Sequence, residues 1–169
     1  VYLPTNREYE DESKTFNPQL NWEELNDELY DDEIFILSRH PNMKEEYIKG
    51  MLYPRVKDYT VDSAMELLSV ADVVITDYSA IMFDSTIMEI PMVFYCPDYD
   101  TYDCDFYLNY ERDVPGEIIK DPNELLEAIR RAGENGYKES IKAFKEKEMG
   151  ACDGKSTDRV VELIKDYLK

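Results

Sequence analysis

The chain is poor in the residues from which ready-made reaction centres are built. Its 169 residues include one histidine, three cysteines, six glycines and one tryptophan, and 19 basic side chains stand against 38 acidic ones. One histidine with three widely spaced cysteines (Cys96, Cys104 and Cys152) argues against a zinc site or a disulfide framework and for a reducing compartment. The formal net charge of −19 repels duplex DNA, RNA and anionic lipid head groups, so no nucleic-acid partner and no polybasic membrane contact is expected. No stretch approaches the ~18 consecutive apolar residues that cross a bilayer, and no signal-peptide pattern opens the chain. Gly-rich phosphate loops are missing too. Neither GxGxxG nor GxxxxGK followed by Ser or Thr occurs, which makes dinucleotide folds and P-loop ATPases poor candidates.

What is present is enough to fold. Apolar residues make up 43% of the chain and aromatics 12%, with 14 tyrosines among them. Short apolar runs alternate with longer amphipathic stretches, the pattern of βα units around a parallel sheet. Strands are expected at residues 1–3, 34–37, 56–59, 73–76, 92–96 and 117–119. Helices are expected at 21–30, 44–51, 62–70, 79–89, 122–132, 138–149 and 157–168. Asp62, Ser79 and Asp121 are suited to N-cap positions. The runs around Ile36, Val74 and Phe94 are apolar without alternation, as expected when helices cover both sheet faces. The fold class is therefore α/β, a Rossmann-like doubly wound parallel sheet with C-terminal helices, in one domain over residues 1–169. The chain opens without Met on Val1-Tyr2-Leu3-Pro4, which reads as a strand already in progress, so a piece of a longer polypeptide is expected.

In such a sheet the loops at the carboxyl ends of the strands gather on one edge, where helix N-termini offer free N–H groups to anions. Three corners carry more polar groups than a turn requires. They are Thr5-Asn6-Arg7, Ser38-Arg39-His40-Pro41-Asn42 and Thr76-Asp77-Tyr78-Ser79. On the helix after Ser79, a spacing of ~100° per residue puts Ala80, Ile81, Ile87 and Met88 on one stripe with Asp84 in its middle. That placement predicts a buried carboxylate in need of a partner, either a structural hydrogen bond or the hydroxyls of a ligand. His40 admits two readings, a satisfied structural residue or, beside Arg39, part of a charge clamp on a diphosphate. Arg7 supplies a third cation, so the three corners together predict a small cationic pocket on an anionic molecule. An ordinary ion pair is the alternative for either arginine. The Tyr- and Asp-rich stretch 98–103 lacks the Gly and terminal Glu of a calcium loop and reads as solvated loop. The patterns at 125–129 and 160–168 read as core-facing amphipathic helices.

Taken in order, these residues resemble the CDP-glycerol glycerophosphotransferase family, the teichoic-acid polymerases and primases. Ala71-Asp72-Val73-Val74-Ile75-Thr76-Asp77-Tyr78-Ser79-Ala80-Ile81-Met82-Phe83-Asp84 is similar to its ADxxITDYSSxxFD stretch. Leu3-Pro4-Thr5-Asn6-Arg7, Arg39-His40-Pro41, Pro91-Met92-Val93-Phe94-Tyr95, Pro115-Gly116-Glu117-Ile118-Ile119 and Asp153-Gly154-Lys155-Ser156 through Arg159 are similar to further segments. The sequence departs from the family where Ala80 replaces a second Ser and Ser38 an Arg. Cys104-Asp105 likewise stands in place of Arg-Gly.

The resemblance implies the C-terminal, nucleotide-donor-binding half of a GT-B architecture. The implied activity transfers glycerol phosphate from CDP-glycerol to a hydroxyl of poly(glycerol phosphate) and releases CMP, with no metal and no cofactor. It implies Thr5, Arg7, Arg39, Thr76, Asp77, Tyr78, Ser79 and Ala80 around the donor phosphates, Asp84 on the donor hydroxyls, and His40 as the catalytic residue. The acceptor site and the membrane contact would belong to an N-terminal half, without which this chain is expected to be inactive. The expected location is cytoplasmic, peripheral at the inner face of the cell membrane. Two alternatives are a GT-B glycosyltransferase domain using a UDP- or GDP-sugar, and a non-catalytic α/β module that binds a partner.

Overall fold

The computed structural model describes residues 1–5, 7, 17–39, 53–59, 63–102 and 108–169. His40, the helix expected at 44–51 and the cap expected at Asp62 lie outside the described residues. The described elements are α1 (Trp22–Glu28), β1 (Phe35–Leu37), β2 (Val56–Asp58), α2 (Ala64–Leu68), β3 (Val74–Thr76), α3 (Ile81–Ile87), β4 (Met92–Tyr95), α4 (Tyr110–Asp113), β5 (Glu117–Ile119), α5 (Leu125–Asn135), α6 (Lys138–Glu148) and α7 (Ser156–Tyr167). The pairings β1–β2, β3–β4 and β4–β5 are all parallel, with Phe35 opposite Val56, Val74 opposite Met92 and Val93 opposite Glu117. Tyr2 bridges in parallel to both Leu37 and Ile75, so the N-terminal segment lies between β1 and β3. The resulting order is β2, β1, N-terminal segment, β3, β4, β5, and the chain reverses its direction of travel across the sheet between that segment and β3. A ligand crevice belongs at this reversal, because the helices on its two sides leave in opposite directions.

Alternation along the strands sorts the core into two layers. Tyr2, Leu37, Ile75, Val93, Tyr95 and Ile119 face α1 and α5, packing on Leu25, Leu29, Leu125, Leu126 and Ala128. Leu3, Val74, Met92, Phe94 and Cys96 face the other way, onto Leu67, Leu68, Met82, Tyr110, Ile141 and Phe144. With both faces covered, β3 and β4 are buried at every position. Each fully buried side chain of the size of Leu37 or Phe94 contributes about 1.5–3 kcal/mol. Asp121 accepts from the Asn123 N–H at 2.9 Å with Pro122 following, so the expected cap forms, on a short 3₁₀ turn leading into α5. Gly136 ends α5 in the left-handed conformation at φ 66°, the position that favours glycine.

Two expectations need correction. No helix is expected between β4 and β5, yet Asn109 caps the one-turn helix α4 there and Tyr110 from it enters the core. Helix α7 is not core-facing. Val160, Leu163, Ile164, Tyr167 and Leu168 repeat at helical spacing, yet all are exposed, Leu163 by 61%. Periodicity specifies an apolar face but not what covers it. Among the described residues, no helix is long and apolar enough to cross a membrane.

Candidate functional site

Two corners of the sheet edge are tied together at the reversal point by one carboxylate. Asp77 follows β3 and is completely buried, and it accepts from the Thr5 backbone N–H at 2.9 Å and from the Thr5 hydroxyl at 2.5 Å. It also accepts from the Tyr78 N–H at 2.7 Å, which turns the chain towards α3. Arg7 completes the set, with Nη2 2.9 Å from Asp77 Oδ2. From the next corner, after β4, Asp98 receives Arg7 Nε at 2.8 Å and Nη2 at 3.1 Å, while Arg7 Nη1 donates to the Thr5 carbonyl at 2.8 Å.

Aromatic side chains enclose this ion cluster. Tyr78 and Tyr102 stack with centroids 3.8 Å apart, and the Arg7 guanidinium carbon lies 4.8 and 4.7 Å from their centres. The Tyr78 hydroxyl donates to Asp98 at 3.2 Å, and the Tyr110 hydroxyl donates to the Asp77 carbonyl. Burial lowers the Arg7 pKa, but the adjoining Asp98 and Asp77 carboxylates more than reverse this, so its net shift is upward. Burial pushes the Asp77 carboxyl above its ordinary value, against the downward pull of Arg7 and Thr5. Burial also lifts the Cys96 thiol to about 12, so at neutral pH it is no nucleophile.

Of the expected site residues, the structure brings Thr5, Arg7, Asp77 and Tyr78 into one cluster. The expected cationic pocket is not what they form, because Arg7 sits between two carboxylates and the three formal charges sum to −1. Arg39 pairs with Asp58 at 2.7 Å, at the ends of β1 and β2, on the far side of the N-terminal segment from β3. Thr76 is buried and donates its hydroxyl to the Leu3 carbonyl at 2.9 Å, a stitch between adjacent strands.

Ser79 is not the N-cap of α3, a position that Ala80 holds without a side-chain bond, but one residue earlier its Oγ accepts from the Ile81 N–H at 3.3 Å. Ala80 is exposed. Asp84 is half-exposed, not buried. The face of α3 that packs inward carries Met82, Ser85 and Thr86, while Ile87 and Met88 are exposed. The inward face is not the expected stripe, because Ser85 and Thr86 bury well once their hydroxyls return to the Ile81 and Met82 carbonyls. Among the described residues, no group of three or more His, Cys, Asp or Glu is placed to hold a metal ion.

Three members of the cluster escaped the sequence reading: Asp98, Tyr102 and Tyr110. The Tyr/Asp pattern reads as solvated loop, but Asp98 is only 19% exposed and holds Arg7. A signal was available, since Asp98 comes two residues after the apolar run of β4 and so stands on the same edge as Thr5 and Asp77.

Residues 1–166 match the CDP-Glycerol:Poly(glycerophosphate) glycerophosphotransferase family. The chain is 34% identical over 144 residues to the teichoic acid ribitol-phosphate primase of Bacillus spizizenii, covering 81% of this chain and 36% of that protein. It is 31% identical over 173 residues to the teichoic acid poly(glycerol phosphate) polymerase of Bacillus subtilis, covering 97% of this chain and 23% of that one. Among solved structures, the wall teichoic acid polymerase TagF matches with a TM-score of 0.75 at 28% identity, over 98% of this chain and 42% of that chain. A TagF variant soaked with CDPG matches with a TM-score of 0.76 at 29% identity, over 99% and 44% respectively. The chain thus spans less than half the length of these relatives.

Proposed function

This chain belongs to the CDP-glycerol:poly(glycerophosphate) glycerophosphotransferase family, and from that membership we propose that it is the donor-binding part of a transferase acting in teichoic acid synthesis. The observation that carries the reading is the joining of the Thr5 and Asp77 corners at the point where the sheet order reverses. The donor is CDP-glycerol. A hydroxyl of the poly(glycerol phosphate) acceptor attacks the phosphorus nearer glycerol, the bond to the bridging oxygen breaks, and CMP leaves with that electron pair. Chemistry of this kind asks a protein mainly to position groups and neutralise charge.

In this reading the backbone N–H groups of Ser79 and Ala80, with Thr5 and Arg7, hold the diphosphate. Asp77 and Thr76 fix the corner, and Tyr78 walls it. Asp84, half-exposed on the outer face of α3, takes donor hydroxyls. Arg39 and His40 stabilise the transferring phosphoryl group and the departing CMP. Acceptor binding, contact with the inner face of the cell membrane and completion of the active site fall to further protein, so this chain binds donor without turning it over alone.

Calorimetry of the 169-residue chain with CDP-glycerol, CDP-ribitol and a UDP-sugar tests the assignment. Binding of a cytidine diphosphate donor is expected. Failure to bind either CDP donor would refute the assignment, and a preference for the UDP-sugar would favour the glycosyltransferase alternative. The likeness to a ribitol-phosphate primase makes CDP-ribitol the second donor to weigh.

A further inference from the structure

The two carboxylates on Arg7 are not equivalent. Asp77 is completely buried and takes three hydrogen bonds from Thr5 and Tyr78 groups besides its contact with Arg7. Those donors belong to the sheet edge itself, so Asp77 cannot leave Arg7 without disrupting the corner. Asp98 is the outermost of the three charged members of the cluster, 19% exposed where Arg7 is 2% and Asp77 0%. It stands on the turn that follows β4, and besides Arg7 it accepts from the Tyr78 hydroxyl at a longer 3.2 Å. It meets Arg7 in bidentate fashion, through Nε at 2.8 Å and Nη2 at 3.1 Å. A phosphate takes the same two-pronged geometry on the same edge of a guanidinium.

From this asymmetry we propose that Asp98 is an internal stand-in for a donor phosphate, and that the affinity of the site is set by exchange of the Asp98 carboxylate for the ligand on Arg7. The inference rests on the donor-binding reading above and adds a residue that governs how tightly the site binds. With Asp98 in place the cluster carries a net −1 and opposes a dianionic ligand. With Asp98 displaced, the remaining Arg7–Asp77 pair is formally neutral, and a phosphate oxygen takes the place of the Asp98 carboxylate at Nε and Nη2. Tyr78 and Tyr102 lie together on one side of the exchange, since Tyr78 bonds Asp98 and the two stacked rings border the same guanidinium. Asp98 is thus a positioning residue that competes with the ligand.

The test titrates the 169-residue chain with CDP-glycerol and separately with inorganic pyrophosphate, for wild type, Asp98→Asn and Asp100→Asn. An asparagine still reaches Arg7 but through a neutral and weaker acceptor. Asp98→Asn should bind both probes at least tenfold more tightly, about 1.4 kcal/mol. Asp100 lies on the same turn and pairs with Lys120, not Arg7, so Asp100→Asn removes the same formal charge and should change the dissociation constants less than twofold. Equal or weaker binding by Asp98→Asn would overturn the proposal, as would equal tightening by Asp100→Asn, which would point to net charge alone. Should Asp98→Asn fold poorly, the wild type supplies its own readout. The Arg7 Nε–H nuclear magnetic resonance signal should move as pyrophosphate saturates the site, and an unmoved signal at saturation overturns the exchange. Absence of binding by every protein would remove the donor-binding reading itself. Wild-type binding without tightening in Asp98→Asn removes only the exchange.

Discussion

Replacing Thr5 by valine removes one hydroxyl and almost nothing else, so it isolates the contact that joins the Thr5 and Asp77 corners of the sheet edge. The hydroxyl donates to Asp77 at 2.5 Å, while the neighbouring backbone N–H bond at 2.9 Å survives the substitution. A hydrogen bond to a charged acceptor is worth about 1.5–3 kcal/mol, and Thr5 is itself half-exposed, so about 2 kcal/mol is the expected loss. For a chain of this size each kcal/mol moves the thermal midpoint by about 2–4 °C, which puts the drop at about 4–8 °C. Thr5→Ser keeps the hydroxyl and gives up a methyl group, so it should cost less than about 1 kcal/mol. Because Thr5 pulls the Asp77 carboxyl downward against the upward push of burial, removing its hydroxyl leaves Asp77 easier to protonate. The cost of Thr5→Val should therefore be full where Asp77 is ionised and shrink as the pH falls and the carboxyl takes up a proton. Urea unfolding of both variants at constant m-value, with Asp77→Asn and the double mutant to close a cycle, measures the contact directly. A coupling energy of at least about 1 kcal/mol is expected. Thr5→Val matching wild type within about 0.5 kcal/mol, or falling no further than Thr5→Ser, would refute the reasoning.

Two further substitutions probe the scaffold beneath the site. A Cβ placed on Gly116 would sit 2.2 Å from the Met92 carbonyl oxygen and 3.1 Å from the Phe94 ring, so Gly116→Ala must push β4 and β5 apart. We expect a loss of at least about 2 kcal/mol, read as a lowered thermal midpoint, and an unchanged midpoint would contradict the packing described. The Tyr2 hydroxyl is buried with no hydrogen-bond partner among the described residues, so Tyr2→Phe should stabilise the chain by about 1 kcal/mol in urea unfolding. A destabilised Tyr2→Phe would reveal a partner for that hydroxyl.

The strands were legible because burial on both faces writes a simple signal. Val73 to Thr76 and Met92 to Cys96 are unbroken short runs without charge, and each became a buried parallel strand. Caps were readable where chemistry is local, as at Asp121 before Pro122. The side of α3 was misread because hydroxyl side chains count as polar in a periodicity, although Ser85 and Thr86 bury once they bond the preceding turn. For the site, the corner sequences revealed which residues stand on the ligand edge but not how their charges pair. Arg7 and Asp98 are separated by 91 positions, and nothing in the neighbourhood of either marks the other as its partner. The same limit applies to α7, whose pattern is that of a packed helix although none of its residues is buried. Local pattern carries backbone state and burial well, and long-range electrostatic pairing poorly.

The placement of Tyr2 has a mechanical consequence. The sheet consists of two leaves, β1 with β2 and β3 through β5, and among the described residues their strands are hydrogen-bonded to one another only through the short N-terminal segment. Five main-chain bonds form that seam: Tyr2 to Ile36, Ser38 to Tyr2, Leu3 to Ile75, Ile75 to Val1 and Val1 to Val73, all between 2.7 and 3.0 Å. Thr5 and Arg7 emerge directly from it. Any slip of one leaf against the other would therefore register first as a shift of the anchoring groups, before either leaf lost its own pairing. This seam, together with the core that Tyr2 shares with both leaves, keeps the crevice in register.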